Sequence, residues 1–147
     1  MKDPTTQHNA AIRAMTQADY HAVLSLWKSL AGMGLSSADE PGAIAAFLEQ
    51  NPTTALVAER AGSIVGTVLG GWDGRRGYVY HLAVAAEHQG EGIGTALMDE
   101  VEKRFCVLGA QRIHLMIYEN NPASAFYEKR GWFSRGGELL LMSKDIA

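Results

Sequence analysis

The segment Val84-Ala85-Ala86-Glu87-His88-Gln89-Gly90-Glu91-Gly92-Ile93-Gly94-Thr95 leaves a strand-like apolar run and enters a helical one through three alternate glycines. A fold that contains it must deliver a strand end directly to a helix start. Backbone N–H groups at a helix start lack intrahelical partners and sit at the positive end of the helix dipole, so an anion there gains charge-assisted hydrogen bonds. Glycine at 90, 92 and 94 tolerates positive φ and lets an anion approach closely. A bare tight turn would ask for similar glycines, so the turn by itself leaves both readings open. Two other phosphate motifs fail on position. A P-loop needs Gly-Lys-Ser/Thr, whereas Gly94 is followed by Thr95-Ala96; a dinucleotide fingerprint needs glycine at 95, where threonine stands.

The residues before the turn read as a meander. Ala11–Met15 is a short apolar start suited to an edge strand. Thr16 and Asp19 have capping-box spacing, and Tyr20, Val23, Leu24, Trp27, Leu30 and Ala31 form one helical stripe that Gly32 and Gly34 interrupt. Ser36 to Glu40 offers caps for a second helix, with Ile44, Phe47 and Leu48 on its buried face. From Thr54 the period falls to two: 55–59, 64–71 and 78–84 read as strands, separated by turns at Arg60-Ala61-Gly62 and 73–77.

After the turn, Leu97, Val101, Phe105 and Leu108 mark a helix that stops near Gly109. Residues 112–118 alternate as a strand with Ile113, Leu115 and Ile117 inward. Asn121 and Pro122 can open a short helix that Gly131 ends, and Leu139–Met142 supplies a last strand. The expected fold class is α+β, a mixed central sheet flanked by helices. It forms one domain over 9–147, preceded by a polar tail at 1–8.

Composition narrows the function classes. With 47% hydrophobic and 20% charged residues among 147, the chain is an ordinary globular one. A net charge of -3 without a run of Lys and Arg excludes a broad nucleic-acid footprint. No run of about 18 apolar residues suits a membrane span. The lone Cys106, expected as a small buried side chain of the second long helix, fits a reducing compartment, and the expected location is cytoplasmic. The five histidines show no metal-ligand spacing, so no metal site is argued.

Gln89-x-x-Gly92-x-Gly94, preceded by Leu82-Ala83-Val84 and followed by Asn120-x-x-Ala123-x-x-x-Tyr127-x-x-x-Gly131-Trp132, resembles the GNAT family of N-acetyltransferases. The match spans nearly the whole chain, and residues 66–78 resemble a branch of small bacterial members. The resemblance implies a GNAT-like acyl-CoA N-acyltransferase fold with acetyl-CoA as acyl donor and an amine as acceptor. It also implies subunits paired through a terminal strand or hairpin.

Carried over by position, Leu82, Ala83 and Val84 would accompany the pantetheine arm as an added strand. Gln89, Gly90, Glu91, Gly92, Ile93, Gly94 and Thr95 would hold the pyrophosphate. Asn120 would contact the arm, and Tyr127 would be the general acid at the thioester sulfur. Trp132 departs from the family's usual phenylalanine.

The general base is less defined. Family members often carry a carboxylate or histidine on the face shared by positions 78 and 80, which here are Tyr78 and Tyr80. Tyr80 could order a water path, and Glu119 at the next strand's end is a further candidate base. By alternation His81 is expected on the opposite face, packed or hydrogen-bonded. His114 is expected to be a strand-face residue. Asp39, Glu40 and Asp73 are expected to be solvated charges, and Trp27, Trp72 and Trp132 either an aromatic wall for the acceptor or core packing. Outside enzymes, the same turn would serve a non-catalytic acyl-CoA-binding regulator.

Overall fold

The computed structural model describes residues 9–146, which divide into a unit up to Met116 and a second from Ile117 onward. The expected tail at 1–8 lies outside the described residues.

In the first unit the elements run β1 (Ala11–Ala14), α1 (Tyr20–Ser29), α2 (Pro41–Gln50), β2 (Ala55–Arg60), β3 (Ser63–Trp72), β4 (Gly77–Val84), α3 (Ile93–Val107) and β5 (Ile113–Leu115). The strands form one sheet in sequence order, antiparallel from β1 to β4 and parallel between β4 and β5. The sheet is mixed, as expected for a meander that then crosses over through a helix.

Local chemistry starts the elements. Thr16 and Asp19 form the expected capping box, and Asp19 also takes a two-pronged bond from Arg13 on β1 at 2.8 and 2.9 Å. The Arg13 guanidinium is the main reason that the Asp19 carboxyl titrates below the usual range. Pro41 occupies the first turn of α2, where a missing N–H has no intrahelical partner to lose.

Two cores sandwich the sheet. On one face Trp27 of α1 and Ile44 of α2 pack with Val57, Leu69 and Ala83. On the other, α3 lies so close that a Cβ at Gly70 would stand 2.9 Å from the Phe105 ring, and one at Gly77 would stand 2.6 Å from it. Leu97, Met98, Val101 and Phe105 are buried there. Cys106, next on the helix, is exposed, contrary to expectation. The stripe that α3 buries runs through Leu97, Val101 and Phe105, which turns the following position outward.

The fifth strand is shorter than the 112–118 expected, because only Ile113–Leu115 pairs with β4. The second unit contains α4 (Ser124–Lys129). Asn121 precedes this helix as a turn residue, its Oδ1 accepting the Ala123 N–H at 2.8 Å, rather than capping it directly. Leu139–Met142, expected as a last strand, is not one. Its one bridge joins Gly136 and Leu139, and with no ladder partner among the described residues the four apolar side chains are exposed. No described helix is long and apolar enough to cross a membrane.

Candidate functional site

The turn after β4 has the geometry of an anion cradle. A single 3-10 turn, Ala86–His88, leads from the strand to Gln89, and Gly90 and Gly92 then take φ of 81° and 87°. Gly92 is the N-cap of α3, whose first intrahelical bond runs from Ala96 N–H to the Gly92 carbonyl at 3.0 Å. The N–H groups of Ile93, Gly94 and Thr95 therefore fall in the first turn, ahead of any i−4 carbonyl. Gln89 Nε2 donates to the Val84 carbonyl at 3.1 Å and fastens the front of the turn to the strand.

The three glycines are not equivalent. Positive φ explains glycine at 90 and 92, but Gly94 has an ordinary φ, and a Cβ there would meet only Val84 at 3.7 Å, a normal contact. The chain's own packing gives no reason for glycine at 94, whereas a ligand approaching the helix start does.

Leu82, Ala83 and Val84 form the end of β4 next to this turn. The pairing of β4 with β5 covers only Gly77, Tyr78 and Val79. Beyond Val79, the β5-side edge of β4 has no strand beside it among the described residues of the first unit. An extended polar ligand can lie along such an edge as an added strand.

A bulge in β4 changes the other face. Thr67 pairs with Ala83 and Leu69 with Tyr80, so Val68 alone stands opposite His81 and Leu82. His81 takes φ 49°, a left-handed conformation that a side-chain-bearing residue rarely adopts. The extra residue cancels the alternation that was expected to send His81 to the far face. Instead its ring packs at 4.7 Å against Trp27, tilted by 60°, in the core that also contains Phe47, the neighbour of Tyr80.

The expected hydrogen bond exists: His81 Nε2 donates to Asp39 Oδ1 at 2.8 Å. Asp39 is therefore not the solvated charge expected, being 7% exposed and also accepting the Ser36 N–H. Trp27 Nε1 donates to Thr67 Oγ1, which donates to the His81 carbonyl, so the bulge is held on both its backbone and its side chain. Asp39 also borders an open pocket of about 290 Å³ between α1 and the 35–40 segment.

Tyr78 and Tyr80 stack at 6.5 Å. Partial burial, with the neighbouring Tyr78, pushes the Tyr80 phenol above its usual range, so at neutral pH it keeps its proton and is a hydrogen-bond donor group rather than a base. His114 lies against Tyr78 at 5.6 Å, as a strand-face residue should. Trp27 and Trp72 do not share one wall: Trp27 faces His81, and Trp72 faces Phe105.

The second unit carries Glu119, Asn120 and Tyr127. Glu119 and Asn120 are exposed in the segment before α4. Tyr127 is buried on α4, edge-on to Phe126 at 5.3 Å and to Trp132 at 5.9 Å. Trp132 thus replaces a phenylalanine as a packing partner. Burial raises the Tyr127 phenol above its usual range, so it too holds its proton at neutral pH. Among the described residues no group of three His, Cys, Asp or Glu side chains could hold a metal ion.

The sequence model of the Acetyltransferase (GNAT) family matches residues 11–132. The chain is 37% identical over 138 residues to an acetyltransferase of Photorhabdus laumondii, covering 92% of this chain and 94% of that one. It is 40% identical over 119 residues to an acetyltransferase of Pectobacterium atrosepticum, covering 80% and 84%. Among solved structures, Ard1 from Thermoplasma volcanium superposes with a TM-score of 0.73 at 22% identity, over 84% of this chain and 82% of that one. The PaiA N-acetyltransferase from Thermoplasma acidophilum, in complex with coenzyme A, gives 0.71 at 17% identity, over 84% and 89%.

The chain belongs to the GNAT acetyltransferase family and is an acyltransferase, and its fold fits the binding of acetyl-CoA.

Proposed function

We propose that this protein transfers the acetyl group of acetyl-CoA to a primary amine of a small molecule, amino acid, peptide or protein, by direct attack within a ternary complex. The observation that carries this reading is the turn 89–95, where the chain's own packing leaves room for a Cβ at Gly94 and so does not itself call for glycine. The pyrophosphate lies on the N–H groups at the start of α3, and the pantetheine arm runs along the β4 edge at Leu82–Val84, with Asn120 as a further contact.

Holding donor and amine together supplies much of the acceleration, since effective molarities for well-aligned pairs reach about 10⁵ M or more. The neutral amine attacks the thioester carbonyl, a C–N bond forms, the C–S bond breaks, and Tyr127 protonates the departing thiolate. The proton lost by the ammonium leaves on the face of Tyr78 and Tyr80. Tyr80 orders the water, and His81, steadied by Asp39, is the ionisable group that receives the proton; Glu119 is the other candidate.

His81→Ala is therefore expected to slow acetyl transfer by about 10- to 100-fold without weakening acetyl-CoA binding, and added imidazole should restore part of the rate. Failure of imidazole to rescue a folded, donor-binding variant would leave His81 with a structural role.

The reading rests on acetyl-CoA and an amine alone, with no metal, as one domain over 9–147 acting in the cytoplasm as a homodimer. A thiol-release screen of many amines against several acyl-CoAs tests it directly. Turnover with at least one amine is expected. Tight acetyl-CoA binding with no thiol released across the panel would favour a non-catalytic acyl-CoA-binding regulator instead.

A further inference from the structure

The turn built for an anion carries an acid at its centre. Glu91 stands between Gly90 and Gly92, its side chain 17% exposed. A carboxylate in that position repels a phosphate unless its charge is taken up and its side chain held elsewhere. The structure holds it. Arg60, the last residue of β2, donates from Nη1 to Glu91 Oε2 at 3.0 Å. His88 Nδ1 lies 3.2 Å from the same oxygen and 3.3 Å from Arg60 Nη1. Side chains from β2, from the 3-10 turn and from the glycine turn thus meet at one carboxylate oxygen. On the opposite flank Gln89 ties the turn to β4. The segment is anchored to two strands that lie on either side of β3.

We propose that Arg60 is a positioning residue for the acyl donor, acting through Glu91 to hold residues 89–92 in the anion-binding form before the donor arrives. The proposal rests on the acetyl-CoA reading above. Its physical basis is the conformational freedom of the turn. Gly90 and Gly92 lose more backbone freedom on ordering than any other residue type would. If the turn were free, that loss would be charged against donor binding; a turn ordered in advance spares it. The pair is part-buried, with side chains 34% and 17% exposed, and it joins the end of β2 to the glycine turn, so its effect is felt locally at that turn.

The proposal and its simplest rival predict opposite signs. If Glu91 were only a negative charge near a phosphate, Glu91→Gln would tighten acetyl-CoA binding. If Glu91 is the handle by which Arg60 holds the turn, the same change weakens it. Isothermal titration of acetyl-CoA into the full chain, wild type and variants, decides between them.

Arg60→Met and Glu91→Gln are each expected to raise Kd about 5- to 10-fold, and the double variant no further, because the two side chains act as one unit. Arg60→Lys, which keeps the charge, should recover most of the affinity. Melting temperatures should stay within about 3 °C of wild type. S-acetylpantetheine, which lacks the pyrophosphate, should bind all variants equally.

Tighter binding by Glu91→Gln, or a further loss when Arg60→Met is added to Glu91→Gln, would overturn the proposal. The second result would mean that Arg60 acts on the phosphates without Glu91. Gly92→Glu separates this from the parent reading: if it binds acetyl-CoA as wild type does, the turn is not the donor site and both fall. If it loses binding while Glu91→Gln gains it, only the role of Arg60 falls.

Discussion

Gly92→Glu is expected to abolish acetyl-CoA binding, raising Kd by at least about 100-fold, equivalent to about 2.7 kcal/mol. Two effects act together. Gly92 has φ 87° as the N-cap of α3, a conformation that costs an L residue about 1–2 kcal/mol, so the turn distorts. The new carboxylate also lies where the pyrophosphate is to sit and cancels the field of the helix start. Titration calorimetry reads the first-order effect, and circular dichroism checks that α3 persists. Unchanged affinity in a folded variant would remove the central claim about the site.

The second large effect is expected at the other end of the chemistry. Tyr127→Phe keeps the ring between Phe126 and Trp132 and removes only the hydroxyl. With the acceptor found by thiol release, kcat should fall about 100-fold while the acetyl-CoA Kd stays put. The protonation state fits this role: burial raises the phenol, so the acid form persists through neutral pH and is lost only in alkali. A folded variant within about threefold of the wild-type kcat would assign Tyr127 to packing alone.

Sequence reasoning worked where one residue's chemistry decides a local structure. The capping box at Thr16 and Asp19 starts α1 as expected, the period-two runs form β2 to β4, and the glycines at 90 and 92 take the positive φ that their position demanded. It stopped where structure depends on distant partners. Nothing at residues 80–82, neither glycine nor proline, marks the bulge in β4, because the extra residue shows only against Thr67 and Leu69. The Asp39–His81 bond spans 42 positions and the Arg60–Glu91 bond spans 31, so neither has a sequence spacing to betray it. Leu139–Met142 has the composition of a strand, but a strand exists only beside another, and none is paired with it among the described residues.

The half-covered flank of β4 also bears on how the protein behaves when its donor is scarce. Backbone N–H and C=O groups left along a sheet edge are a template on which any extended chain can pair, and natural sheets commonly blunt such edges. Here the stretch from Tyr80 to Val84 pairs with β3 on one side and has no strand on its β5 side among the described residues of the first unit, and a pantetheine arm laid there, as proposed, would take the place that such a strand would fill. On the proposed reading the donor would serve as a removable last strand. Its supply would then govern both the turnover of the protein and how much adhesive backbone the protein shows to its neighbours.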